Sequence, residues 1–199
     1  MSLPDVPVLD EAHKEVLLRV ARAAVEHGLD GDCMLVVDLE SCAPELRVVG
    51  ATFITLRLGE ALRGCVGSSQ AVRPLVADAA HNAHGAAFRD PRFSPLDRAE
   101  LAGLSIHVSI LGPFEELRFS SEADLLAQLQ LGEDGLCLEV EGARHRAILL
   151  PSVWASLPDA AKFFHHLKIK AGLPRHYWSN NLKVWRYASE SFLDARNKS

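Results

Sequence analysis

The run Arg63, Gly64, Cys65, Val66, Gly67, Ser68 sets a thiol between two glycines, with a guanidinium two residues upstream. If the apolar stretch before it is extended, residues two apart share a face and Arg63 and Cys65 point the same way. A fixed positive charge near sulfur favours the thiolate. Flanking glycines weaken a strand and leave space for a ligand or a second backbone to approach. These residues suit Cys65 as a nucleophile, a redox-sensitive thiol or a ligand for a metal handed over by a partner. The competing reading is a small buried strand residue, since cysteine is among the most buried residue types. A covalent nucleophile also needs a positioned base, which spacing alone does not supply.

A second candidate run is Arg89, Asp90, Pro91, Arg92, Phe93. It follows a predicted helix end, where cationic side chains meet the last carbonyls and serve as a stop signal. Asp90 can pair with Arg63 or Arg92 and hold the loop against the cysteine run. Alternatively, Arg63, Arg89 and Arg92 form an anion site, because guanidinium groups grip carboxylate or phosphate in bidentate fashion. The candidate site is therefore Cys65 as the catalytic residue, with Arg63, Gly64, Gly67, Ser68, Arg89, Asp90 and Arg92 binding ligand.

The other titratable residues give weaker signals. Asp78, His81 and His84 recur at spacing three on one predicted helix face, but catalytic zinc helices more often space histidines four apart. They read as exposed helix surface, and no metal site is expected. His107, in an apolar strand, is either a base facing the cysteine hairpin or a hydrogen-bonded structural histidine. His165 and His166 lie beside Phe163 and Phe164, and the reading is that one of each adjacent pair faces the core. Trp154, Trp178, Trp185, Tyr177 and Tyr187 read as packing aromatics.

The elements that must position these residues follow from local patterns. Asp10 caps a first helix that buries Val16, Leu17, Val20 and Ala24 and ends at Gly28. Met34–Val37 and Leu46–Val49 read as short strands, and Ala51–Leu58 and Ala61–Val66 as a hairpin turning at Gly59 and Glu60. Pro74 opens a helix over Leu75–Ala87, and Leu104–Ile110 is a strand. Ser121 caps a helix running to Leu131. A second hairpin, Leu136–Glu141 with Ala143–Leu150, turns at Gly142. A helix over Pro158–Ala171 follows, and Lys183–Tyr187 is the last strand. The order hairpin, helix, loop, single strand occurs twice, which suggests internal duplication. The fold class is α+β, a mainly antiparallel sheet with flanking helices in two fused lobes of about 10–118 and 119–195 within a single domain over 1–199.

At 199 residues, 48% apolar and 24% charged, the chain has the size and composition to fold on its own core. A net charge of -5 argues against a polyanion-binding surface, so no nucleic-acid partner is expected. No apolar run has the length of a membrane span, and the N-terminus lacks a signal-peptide pattern, giving a cytosolic expectation. Cys33, Cys42, Cys65 and Cys137 are widely spaced and read as free thiols.

Leu62–Ser68, Ala86–Phe93, Asp134–Leu136, Leu150–Trp154 and Lys170–Pro174 together resemble the AMMECR family, also called AmmeMemoRadiSam system protein A. Val66 stands where that family usually has isoleucine, a one-methylene change. The resemblance implies a compact two-lobed α+β protein associated with a Memo-type protein and a radical SAM protein. It brings no established reaction and names no cofactor. Three readings stay open: an accessory or ligand-binding protein, an enzyme using Cys65 on an anionic small molecule, and a regulatory interaction module.

Overall fold

The computed structural model describes residues 9–31 and 33–194. In chain order these form α1 (Glu11–Leu29), α2 (Pro44–Arg47), β1 (Val49–Gly50), β2 (Thr52–Leu58), β3 (Ala61–Gly67), β4 (Arg73–Pro74), α3 (Leu75–Phe88) and β5 (Leu104–Leu111). Next come β6 (Glu115–Glu116), α4 (Glu122–Ala127), β7 (Gly135–Val140), β8 (Arg146–Leu149), α5 (Ala160–Lys170), β9 (Leu182–Tyr187) and β10 (Ser189–Leu193). Among the described residues, one compact unit runs to Leu111 and resumes at Glu190, and the other spans Gly112–Ser189. The division thus falls at 111/112 rather than near 118. The last segment returns to the first unit because β10 joins its sheet.

In the first unit the sheet order is β10-β5-β2-β3, with β2 antiparallel to both β3 and β5. Alternation along these strands sends Ile54, Leu56, Ile106 and Val108 into one core with Leu17, Ala21, Leu75 and Ala79 of α1 and α3. The Asp10 carboxylate accepts the His13 N–H at 2.9 Å and starts α1. The two helices approach closely at Gly28, where an added Cβ would meet the Phe88 ring at 2.3 Å.

The second unit repeats the scheme, with order β6-β9-β7-β8. In both units a hairpin leads through a helix to a third strand that pairs with the hairpin's first strand, β5 on β2 and β9 on β7. Its core gathers Leu136, Leu138, Val184 and Leu167, with Trp154 stacked on Phe163 at 3.9 Å.

Several local expectations need correction. Among the described residues Met34–Val37 joins no strand ladder, and Leu46 lies in α2 because Pro44 starts a helical turn there. β10 follows Tyr187, where no further strand was expected. α4 stops at Ala127, short of Leu131, and β8 covers only Arg146–Leu149. Phe163 and Phe164 are both fully buried, since one stacks on Trp154 and the other lies under the Lys168 ammonium, 4.7 Å from its ring centroid. Trp178 is partly exposed against Phe119, whereas Trp154 and Trp185 are packed. All four cysteines are free thiols.

Candidate functional site

The β2–β3 hairpin turns through Gly59, whose φ of +57° is a left-handed conformation suited to glycine. Pairing is regular from Gly67 opposite Phe53 to Gly64 opposite Leu56, then slips so that Leu62 faces Arg57. Arg63 is the extra residue of this β-bulge, and a bulge re-aims its side chain. The simple two-residue alternation that aligned Arg63 with Cys65 is therefore interrupted between them. The glycine spaces are filled by the chain itself. A Cβ on Gly64 would come within 2.1 Å of the Ala86 carbonyl oxygen, and one on Gly67 within 2.2 Å of the Phe53 ring. Gly64 is what lets α3 lie against β3.

The arginines are committed to neighbouring carboxylates. Arg63 is nine-tenths buried and donates from Nε to Glu100 Oε1 at 2.6 Å and from Nη2 to Glu100 Oε2 at 2.9 Å. A third bond reaches the Pro95 carbonyl at 3.2 Å. The Arg63 guanidinium beside it holds Glu100 below the usual carboxylate range. Glu100 also accepts the Asp97 N–H at 2.7 Å, completing a capping box on the 3-10 turn Arg98–Gly103. Arg92 forks onto Asp90, with Nη2 to Oδ2 at 2.6 Å and Nε to Oδ1 at 2.9 Å.

Asp90 is buried, and its Oδ2 accepts the Cys65 N–H at 2.8 Å while Arg92 Nη2 reaches the Cys65 carbonyl at 3.4 Å. β3 is the sheet edge, so the Asp90–Arg92 pair serves Cys65 as a neighbouring strand would, one group accepting and one donating. The Arg92 bonds, against an opposing effect of burial, hold the Asp90 carboxyl down at about 2, and the Cys65 N–H adds to this. Both guanidinium groups also flank the Phe93 ring, at 5.9 Å for Arg63 and 5.4 Å for Arg92. Arg89 is exposed at the C-cap of α3.

The Cys65 side chain emerges on the sheet face opposite the one that Gly64 and Val66 turn toward α3. On that face Cys65 is register partner of Thr55, and Thr55 of His107, so thiol, hydroxyl and imidazole line up across three strands. All three residues are half-buried. The Thr55 hydroxyl donates to Cys65 Sγ at 3.4 Å. Burial first, then the Arg57 cation, lowers the His107 pKa from its ordinary value, favouring neutral imidazole. Adjacent strands lie about 4.8 Å apart, which puts the His107 backbone roughly 10 Å from that of Cys65. Thr55 stands between them. Sequence reasoning had His107 but not Thr55, whose signal was its place opposite Cys65 in the hairpin register.

Ser68 belongs to a different cluster. Asp78 is fully buried, not surface, and accepts from Ser68 Oγ at 2.7 Å, the Thr52 N–H at 2.8 Å, Thr52 Oγ1 at 2.9 Å and Asn82 Nδ2 at 2.9 Å. Arg73 adds an ion pair at 3.2 Å. His84 is buried beside Phe88, and His81 is half-buried, so the exposed-surface reading of this stripe fails for Asp78 and His84. For Asp78 the reason is that the start of β2 and the exit of β3 bring the Thr52 and Ser68 donors to the helix, while His84 packs on the Phe88 ring. Among the described residues no three His, Cys, Asp or Glu side chains are grouped to hold a metal ion.

The AMMECR1 family model matches residues 18–192. This chain belongs to the AMMECR1 family. Its similarity to a solved AMMECR1-type fold is close: the crystal structure of uncharacterized protein PH0010 from Pyrococcus horikoshii superposes with a TM-score of 0.86 at 30% identity, covering 94% of each chain. Protein MJ0810 of Methanocaldococcus jannaschii is 32% identical over 88% of this chain and 87% of its own length. Protein SSO0193 of Saccharolobus solfataricus is 32% identical over 98% of this chain and 87% of its own length. The α+β architecture of antiparallel sheets and flanking helices is that of the AMMECR1-type fold. No helix among the described residues is long and apolar enough to cross a membrane.

Proposed function

We propose that this AMMECR1-family protein is a cytosolic accessory protein that binds a small ligand on the Cys65 face of its first unit and works with a Memo-type and a radical SAM protein. The partnership rests on the sequence resemblance. The binding reading rests chiefly on one observation, the half-buried row of Cys65 thiol, Thr55 hydroxyl and His107 imidazole across three rigid strands. Sites built on strands hold geometry better than sites on loops. The Asp90–Arg92 pair fixes the Cys65 backbone on the open side of β3, so the thiol is presented from a braced position.

Binding is favoured over covalent catalysis by distance. A general base acts within hydrogen-bond reach of the proton it takes, about 3 Å, whereas His107 is two strands from Cys65. Anionic recognition by Arg63 and Arg92 competes with Glu100 and Asp90, already bound to them in forked geometry. An enzyme using Cys65 as nucleophile remains the second reading, supported by the neutral His107 and requiring Thr55 to relay the proton.

Affinity purification of the full chain from its native host, followed by mass spectrometry of proteins and small molecules, tests the proposal. The expected result is recovery of a Memo-type or radical SAM protein and of a small molecule whose retention falls in Cys65→Ser and His107→Ala. Recovery of neither relative refutes the partnership. A bound molecule indifferent to both substitutions refutes the site.

A further inference from the structure

We propose that the extended segment from Cys33 to Asp38 is a strand-acceptor edge for a partner protein, whose docking segment is an aliphatic β-strand flanked by lysine or arginine. This surface is separate from the Cys65 row and does not depend on that site's function. Met34, Leu35, Val36 and Val37 have the composition of a strand, yet among the described residues they join no ladder. Their exposure alternates as a strand's does. Leu35 and Val37 pack on the core, while Met34 and Val36 face out, Val36 being 91% exposed. None of the hydrogen bonds among described residues uses the N–H or C=O of Met34–Val37. Main-chain groups left unpaired among the described residues, on an apolar segment of alternating exposure, are what an incoming strand pairs with.

A receiving space lies beside these groups. Between the segment and α1 is a mostly apolar cavity of about 560 Å³, walled by Val16, Val20, Leu35, Val37 and Leu46, with the exposed Arg19 of α1 sharing its lining with Asp38 as the one strong cation there among the described residues. Strand addition sends alternate side chains of the guest to one side, and this apolar cavity is placed to take them.

Charge selects the guest. Residues 30–40 carry Asp30, Asp32, Asp38 and Glu40 and no lysine or arginine. Arg98 pairs with Asp30 and Arg47 lies 3.7 Å from Glu40, while Asp38 has no basic partner among the described residues. A second copy pairing antiparallel on this segment would bring two acidic stretches together, and like charges opposed across strands are destabilising. A guest with basic residues at its ends fits instead.

The test uses the full-length protein and two synthetic peptides, Lys-Arg-Val-Thr-Val-Thr-Val-Lys-Arg and a counterpart with glutamate at its four basic positions. Hydrogen exchange followed by mass spectrometry should show the Met34–Val37 amides slowed by about tenfold or more with the basic peptide. Fluorescence polarisation at low salt should give the acidic peptide a Kd about tenfold or more higher, with the difference shrinking in high salt. Val36→Pro removes one main-chain donor and should weaken binding by a similar factor with an unchanged melting temperature. If that variant does not fold, the exposed Val36→Asp substitution, which adds a further acid, is read instead and should tighten the basic peptide while abolishing the acidic one. Unchanged exchange at Met34–Val37, or equal affinity for both peptides, overturns the proposal. Dimers in sedimentation velocity without peptide, lost in Val36→Pro, would assign the edge to a second copy and also overturn it.

Discussion

Replacing Asp90 with alanine removes the acceptor that braces the Cys65 backbone, and the expected cost can be worked from its contacts. The carboxyl falls from a usual 3.8 to about 2 in the folded chain, chiefly through the Arg92 bonds. At about 1.4 kcal/mol per unit this corresponds to roughly 2 kcal/mol, discounted to about 1–2 kcal/mol because the Arg92 side chain is more than half exposed. Loss of the acceptor also leaves the Cys65 N–H unpaired, adding about 1–3 kcal/mol. Urea unfolding should therefore show Asp90→Ala less stable by about 2–5 kcal/mol at pH 7. Because the folded-state pKa is depressed, the ionic part of this stability is fully present above about pH 4 and is lost as pH falls through 2. The gap between wild type and variant should narrow by about 1–2 kcal/mol between pH 5 and pH 2, the Cys65 contribution surviving because a protonated carboxyl still accepts. A gap below about 0.5 kcal/mol at pH 7, or one that stays constant with pH, would refute this account of the brace.

Gly64→Ala should cost about 3 kcal/mol or more in thermal melts, since the new Cβ meets the Ala86 backbone oxygen. Gly59→Ala, with open space around it, should cost only about 1–2 kcal/mol of left-handed strain. A disulfide reagent such as Ellman's should modify exposed Cys33 first and half-buried Cys65 more slowly. Cys137 should react only after unfolding, because burial hides its thiol and pushes its pKa up to about 11. Asp78→Ala should destabilise the chain by about 3 kcal/mol by calorimetry, as it strands the buried Thr52 N–H and hydroxyl donors.

The sequence made the local features legible. Gly59 and Glu60 announced the hairpin, Pro74 the start of α3, and Asp10 the cap of α1, each within a few residues of its effect. Contacts between distant residues were not legible. Arg63 meets Glu100 and Asp78 meets Thr52, 37 and 26 residues away, and helical or strand periodicity says nothing of such partners. The Arg63 bulge likewise breaks an alternation that the residue types alone extend through it. β10 was missed because Ser189, Glu190 and Ser191 give little apolar signal before Phe192, so its strand state comes from pairing with β5. Met34–Val37 shows the converse, strand composition without a strand partner among the described residues. The sequence allows Asp90 to pair with either Arg63 or Arg92, and the structure selects Arg92.

Alkylation footprinting of Cys65 by mass spectrometry, comparing the isolated chain with the assembly recovered from the native host, tests the binding site most directly. Cys65 should label in the isolated protein and be protected by about tenfold or more in the assembly, with buried Cys137 unlabelled in both as the check that the fold is intact. Equal labelling of Cys65 in the two samples would contradict a ligand or partner seated on the Cys65, Thr55 and His107 row.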